Sequence, residues 1–295
     1  RVVSVSDCAS LAGNATKITA RGFGWTHAGR SEPALSDIDV VIEPGERVLL
    51  CGDSGSGKST LLAAMAGVLG SEEEGTRTGE ILLEDSTGLV EEPGHTIPVG
   101  LVLQDPDSQV ISARVGDDIA FGCENLAYPR EEIWRRVTAA KELVGPFVDL
   151  DFPTERLSGG QKQRLALAGV IAMGAGVVLL DEPTANLDPA GARDVVRAVS
   201  RLVEETGATL VVVEHQHAAW DGVLDRAVEL DRGRIVSDGR ITEVAQRRQV
   251  AGLPQARRMG EVELAGREAA LWSNGLVTRY GPPRTIALPA GASTV

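Results

Sequence analysis

Cysteine, positive charge and long apolar runs are all scarce in this chain, and each scarcity removes a class of protein. Three cysteines (Cys8, Cys51 and Cys123) with no CxxC spacing imply neither a disulfide framework nor a zinc site, and a reducing cytosol suits them. The longest uncharged run, Leu165 to Leu180, is 16 residues with three glycines, short of the ~20 that a membrane-spanning helix needs. It reads as a buried helix end followed by a buried strand. Lys and Arg total 29 against 42 Asp and Glu, a formal charge of −13. So acidic a chain is not expected to bind nucleic acid, whose affinity comes mostly from Lys and Arg neutralising phosphates. The first residues, Arg1-Val2-Val3-Ser4, carry neither an initiator Met nor an apolar signal core. With the abrupt Ala292-Ser293-Thr294-Val295 at the other end, the chain reads as a piece of something longer. What is abundant is core: 295 residues, 43% of them apolar, with 34 glycines, enough for one large domain or two ordinary ones.

Three segments carry chemistry. Val48-Leu49-Leu50-Cys51 is a short apolar strand, followed at once by Gly52-Asp53-Ser54-Gly55-Ser56-Gly57-Lys58-Ser59-Thr60 and an Ala/Leu-rich stretch that predicts a helix from Leu61 to Leu69, ending at Gly70. This is G-x-x-x-x-G-K-S in strand–loop–helix context. Glycines let the backbone wrap a phosphate chain with its N–H groups turned inward, and the helix N-terminus adds positive potential. Lys58 is placed to reach the β- and γ-phosphates and the Ser59 hydroxyl to bind Mg²⁺. A dinucleotide fingerprint is set aside, since Thr60 stands where its third glycine belongs.

The second segment, Val177-Val178-Leu179-Leu180-Asp181-Glu182, is an apolar strand ending in two carboxylates. Continuous apolar strands are those buried on both faces of a parallel sheet, and ligands collect at their carboxyl ends. Asp181 suits a Mg²⁺ ligand, directly or through water; Glu182 suits a base for the attacking water. The third, Leu157-Ser158-Gly159-Gly160-Gln161-Lys162-Gln163-Arg164, opens a helix running to about Met173, with Ser158 as N-cap. Two glycines at a helix start make a second anion site, which needs a partner site.

Leu157-Ser158-Gly159-Gly160-Gln161 resembles the signature of the ABC ATPases, and over about Lys17 to Gln246 the other landmarks of that family follow in order. The resemblance implies an α/β fold: a P-loop NTPase of the ABC type, with a mixed sheet core, an antiparallel β subdomain and a helical subdomain over about 107–173. It makes Gln104 the Q-loop glutamine and a Mg²⁺ ligand with Ser59 and Asp181, Asp188 the D-loop aspartate, and His215 the switch histidine at the γ-phosphate. His27 aligns with the aromatic that stacks on adenine, Trp25 being the alternative. ATP and Mg²⁺ are the implied cofactors. Two such domains pair head to tail, so that Ser158, Gly159, Gly160 and Gln161 of one cap the nucleotide on the other's phosphate loop.

Gln104-Asp105-Pro106-Asp107-Ser108-Gln109, Asp117-Asp118-Ile119-Ala120-Phe121-Gly122-Cys123-Glu124-Asn125 and Glu214-His215-Gln216 are similar to the ATPase subunits of energy-coupling-factor importers, which take up vitamins or cobalt and nickel. That branch implies a transmembrane subunit docking near Gln104–Gln109 and a cytoplasmic protein peripheral to the inner face of the membrane. The alternative is a non-transport ABC module acting as an ATP-gated switch in DNA repair or translation. The 100 residues between Lys58 and Ser158 hold no heptads for the coiled coil of chromosome-maintenance members, and the charge disfavours a ribosome-bound one.

Residues 1–245 read as the ATPase domain and 246–265, with Arg247-Arg248 and Arg257-Arg258, as a linker. Residues 266–295 read as a short β-rich extension or as the start of a second ATPase domain, with Tyr280 in its adenine-stacking segment. Leu288-Pro289-Ala290-Gly291-Ala292 resembles Ile42-Glu43-Pro44-Gly45-Glu46, which would put a second phosphate loop just past Val295.

Overall fold

The computed structural model describes residues 15–70, 73–145, 148–214 and 217–245, and two strands near the C-terminus, Ala269–Leu276 and Arg284–Pro289. It separates into two units, Arg1–Gln246 and Arg247–Val295. In the first, β1 (Lys17–His27), β2 (Leu35–Ile42), β4 (Gly75–Glu84) and β5 (Val90–Glu91) form an antiparallel sheet of order β2-β1-β4-β5. The larger sheet runs β10-β9-β3-β8-β7-β6, built from β3 (Arg47–Gly52), β6 (Val99–Val102), β7 (Val177–Asp181), β8 (Thr209–Val213), β9 (Arg226–Asp231) and β10 (Arg234–Arg240). All its pairings are parallel except β9 with β10. The fold is the α/β architecture that the resemblance implies.

Alternation along the central strands explains why they read as unbroken apolar runs. Leu49, Val178, Leu180, Leu210 and Val212 point into one core and Val48, Leu50, Leu179, Val211 and Val213 into another. The first core takes α2 (Val115–Asn125), α3 (Arg130–Leu143), α4 (Gly159–Met173) and α5 (Pro189–Thr206); the second takes α1 (Lys58–Ala66) and the inner face of the antiparallel sheet. With both faces covered by apolar layers, a strand residue of either parity must be apolar.

Helix α1 differs from the sequence expectation at both ends, starting at Lys58 rather than Leu61. Helix α1 runs from Lys58 to Ala66 rather than to Leu69, because Gly67 takes φ 72° and turns its N–H back onto Ala63 and Ala64 carbonyls, an αL stop that glycine adopts without a Cβ penalty. Strand β6 ends at Val102. The Leu103 N–H donates to Gln109 Oε1 (2.8 Å) and its carbonyl accepts from Gln163 Nε2 (3.1 Å), so side-chain amides draw this residue out of the ladder.

In the second unit β11 (Ala269–Leu276) pairs antiparallel with β12 (Arg284–Pro289). Tyr280, Gly291 and the paired arginines of 247–258 lie outside the described residues.

Candidate nucleotide site

Parallel strands place their carboxyl ends on one edge of a sheet, and here that edge gathers the chemistry. β3 ends at Gly52, β7 at Asp181 next to Glu182, β8 runs into Glu214, and Gln104 follows β6 by two residues. β8 lies between β3 and β7, so the phosphate loop and the carboxylate pair face each other across one strand. His215, one residue beyond Glu214, lies outside the described residues.

The loop depends on glycine at two points. Gly52 has φ 149°, and a Cβ there would sit 2.3 Å from the Leu230 carbonyl oxygen. Gly57 has φ 104°, and its Cβ would meet the Ala34 oxygen at 2.7 Å and Leu35 Cδ2 at 2.8 Å. Gly57 is also the N-cap of α1, with no side chain among the described residues capping that helix start and no acidic residue in its first turn, an arrangement that suits an anion at the helix N-terminus. Lys58 is almost wholly buried, with Nζ donating to the carbonyls of Gly52 (3.0 Å) and Asp53 (2.8 Å). Buried Ser56 Oγ has no hydrogen-bond partner among the described residues.

Ala34, Ser54, Gly55, Gly57, Lys58, Ser59, Thr60 and Glu182 line one cavity of about 200 Å³. Glu182 reaches it from a strained backbone: it is one of four non-glycine residues with positive φ (46°) among those described, and its N–H donates to Val213 O at 2.9 Å. An αL non-glycine costs about 1–3 kcal/mol and persists where its surroundings over-determine it. Gln104 Nε2 donates to Glu182 Oε2 at 3.1 Å, joining the loop after β6 to the turn after β7. Backbone amides, an ammonium and a hydroxyl beside a carboxylate make a donor set that suits a polyphosphate with its cation.

His27 and Trp25 separate cleanly. Trp25 is 4% exposed and belongs to the core under the antiparallel sheet. His27 is exposed at the end of β1, its Nδ1 accepting from Trp25 Nε1 at 3.2 Å with the rings edge-on at 86°. The ring free to meet a planar base is His27.

The residues of the α4 start lie elsewhere. Ser158 and Gln161 form a capping box, with Ser158 N donating to Gln161 Oε1 (2.8 Å) and Gln161 N to Ser158 Oγ (3.4 Å). Gly159 and Gly160 pack near Leu187 and Gly191. Asp188 caps α5 by accepting from Gly191 N at 2.6 Å. Among the described residues, the lining of the Lys58 cavity includes none of Ser158, Gly159, Gly160, Gln161 or Asp188.

Two buried residues that bear on the site had not been singled out from sequence. Glu214, 3% exposed, accepts at Oε1 from both the N–H and the hydroxyl of Thr184 and so pins the turn behind Glu182. Gln163, 1% exposed, donates to Leu103 O and Pro183 O. A signal existed for Gln163: it stands on the face of α4 that continues through Leu167, Val170 and Ile171, all buried, and a polar residue in an apolar stripe needs partners.

The ABC transporter family matches residues 35–185. A putative ABC transporter ATP-binding protein of Methanosarcina acetivorans is 39% identical over 224 residues, 76% of this chain and 35% of that protein. The energy-coupling factor transporter ATP-binding protein EcfA1 of Caldanaerobacter subterraneus is 40% identical over 216 residues, 73% of this chain and 76% of the relative. The structure of cbiO1 from Clostridium perfringens, part of the ABC transporter complex cbiONQ, matches with a TM-score of 0.67 at 31% identity, over 81% of this chain and 93% of that one. This chain spans 35–39% of the length of two Methanosarcina relatives. With the family match lying across the phosphate loop, Gln104 and the Asp181-Glu182 strand, the chain belongs to the ABC transporter family of ATP-binding proteins.

Proposed function

We propose that this chain hydrolyses ATP to drive an importer of the energy-coupling-factor type, for vitamins or for cobalt or nickel ions, through ATP-driven head-to-tail pairing with a second ATPase domain. The observation that carries the reading is the shared cavity: Glu182, bonded to Gln104, opens onto the same space as Lys58, Ser59 and Thr60. Lys58 and the loop amides from Gly52 to Thr60 hold the phosphates, and His27 stacks on adenine. Ser59, Gln104 and Asp181 hold Mg²⁺, which when bound with the nucleotide supplies positive charge against the phosphate oxygens. Glu182 accepts the proton of the attacking water and His215 contacts the γ-phosphate. Positioning and charge stabilisation do most of the work, since phosphoryl transfer asks for little covalent help.

Ser158, Gly159, Gly160 and Gln161, remote from the Lys58 cavity, cap the nucleotide of the partner domain, with Asp188 beside that interface. The similarity to an EcfA1 protein and to cbiO1 supports the importer branch. A transmembrane subunit then docks near Gln104–Gln109, and the chain sits on the cytoplasmic face of the membrane; among the described residues no helix is long and apolar enough to cross one. Residues 1–245 serve as the ATPase domain and 246–265 as a linker. The antiparallel β11–β12 pair fits 266–295 either as the start of a second such domain or as a short C-terminal extension.

Glu182→Gln removes the base and keeps the shape. It is expected to lower kcat by about 100-fold or more, within the range that general-base catalysis contributes, while ATP stays bound in a stalled complex. Turnover at the wild-type rate would end the role given to Glu182. Co-purification of the chain with a multi-span membrane subunit is the outcome expected of an importer; recovery with ribosomes or DNA instead would favour the ATP-gated switch.

A further inference from the structure

Gln163 is a buried side chain whose two amide protons are both spoken for. Nε2 donates to the carbonyl of Leu103 at 3.1 Å and to that of Pro183 at 3.2 Å. Because both partners are carbonyl oxygens, the nitrogen must be the atom facing them, which settles the orientation of the amide. These carbonyls belong to the residue just before Gln104 and the residue just after Glu182. The Gln104 and Glu182 side chains are themselves bonded at 3.1 Å. Five residues therefore close a ring: Gln163 to Leu103, along the chain to Gln104, across to Glu182, along the chain to Pro183, and back to Gln163.

Two further contacts tighten one side of that ring. Gln109 Oε1 accepts the Leu103 N–H at 2.8 Å and its Nε2 donates to Leu101 O at 3.1 Å, so both polar groups of the Leu103 backbone are held by glutamine side chains. Lys162, adjacent to Gln163 on α4, pairs with Asp107 in the same loop. On the other side the Gln163 Oε1 is buried without a hydrogen-bond partner among the described residues. A leucine at this position in the apolar stripe of α4 would avoid that cost. An acceptor left unpaired in a core calls for a compensating role, and the two carbonyl contacts are the candidate for it.

We propose that Gln163 is a positioning residue for hydrolysis: it fixes the spacing of Leu103 and Pro183 and thereby sets Gln104 against Glu182. Gln163 lies four residues after the first residue of α4, so it also ties the Ser158–Gln161 helix start to the base. A shift of that end of α4 is passed to Glu182 through the amide. Gln163 donates to the Leu103 and Pro183 carbonyls, and its effect runs through Gln104 and Glu182. The inference rests on the hydrolytic role given above to Glu182.

The test uses the full chain and the variant Gln163→Leu, which keeps the volume and removes both donors, with Gln163→Met as a more adaptable second variant. The expected result is a fall in kcat of about tenfold, in the range that a misplaced catalytic group produces, with KM for ATP and nucleotide affinity within twofold of wild type. In a Gln104→Ala background, the same substitution is expected to cost less than threefold more, because its effect is relayed through that residue. A role confined to packing would lower Tm while leaving kcat per folded molecule intact. Such a result in either variant, a change confined to KM, or full additivity with Gln104→Ala would each overturn the proposal. A wild-type chain that turns over ATP beside a Gln163→Leu variant of equal kcat removes this inference alone. A Glu182→Gln chain of undiminished turnover removes the reading beneath it, and this inference with it.

Discussion

Two helices of this protein begin beside glycines, and their first turns are capped in opposite ways. Helix α1 starts at Gly57 with no side-chain cap; helix α4 starts at Ser158 with a reciprocal capping box to Gln161. Any helix leaves its first N–H groups without internal partners. At α1 no side chain caps them, and Lys58 is folded back onto the loop carbonyls beside them. At α4 the chain supplies a side-chain partner for one of them, Gln161 N, so a phosphate arriving there competes with Ser158 Oγ. The contrast teaches which of two glycine-flanked helix starts needs its ligand. The open start belongs to a pocket within the chain, and the closed one lies outside the lining of that pocket.

The sharpest way to break that comparison is Gly57→Ala. The new methyl group meets Ala34 O and Leu35 Cδ2 at 2.7 and 2.8 Å, on a backbone at φ 104°. Overpacking and the unfavourable φ together are expected to cost about 2–4 kcal/mol, and titration calorimetry should find ATP affinity reduced by about 100-fold as the loop moves. ATP bound as tightly as by wild type would mean that the open start is not the phosphate site.

Ser158→Ala is the smaller perturbation. Losing the cap is expected to destabilise the fold by about 1 kcal/mol, a fall in Tm of about 2–4 °C by calorimetry for a domain of this size. ATP binding by the isolated chain should be unchanged, since Ser158 does not line the Lys58 cavity. Loss of affinity equal to that of Gly57→Ala would place both helix starts in one pocket and erase the distinction.

The two regions also differ in how far they could be read from sequence. The phosphate loop is contiguous, so nine successive residues from Gly52 to Thr60 state its chemistry without reference to anything else. The Asp181-Glu182 strand was legible for a related reason: an unbroken apolar run can only be a doubly covered strand or a helix, and its length favoured the strand. Helix α1 was misjudged at its C-terminal end because Gly67 and Gly70 are equal candidates as αL stops, and only packing chooses between them. The partners of Gln163 lie 60 and 20 residues away and those of Glu214 lie 30 residues away. Neither was legible as part of the site, because nothing local says which backbone a buried amide or carboxylate will meet. The choice between Trp25 and His27 was likewise open: the rings stand two residues apart on β1, Trp25 inside the core and His27 at the exposed end of the strand.

The sequence by itself therefore determined the elements whose physics is local: the glycine loop before α1, the capped start of α4, the apolar strands with their terminal carboxylates, and the family these mark. Only the tertiary structure decided which of them meet. It set β8 between β3 and β7, brought Glu182 into the cavity of Lys58, and linked Gln104 to Glu182 around the buried amide of Gln163. The physical reason is that phosphate-loop and capping bonds span a few residues. The bonds that aim a catalytic carboxylate cross between strands and loops far apart in the chain, and they exist only once both cores have closed on the sheet.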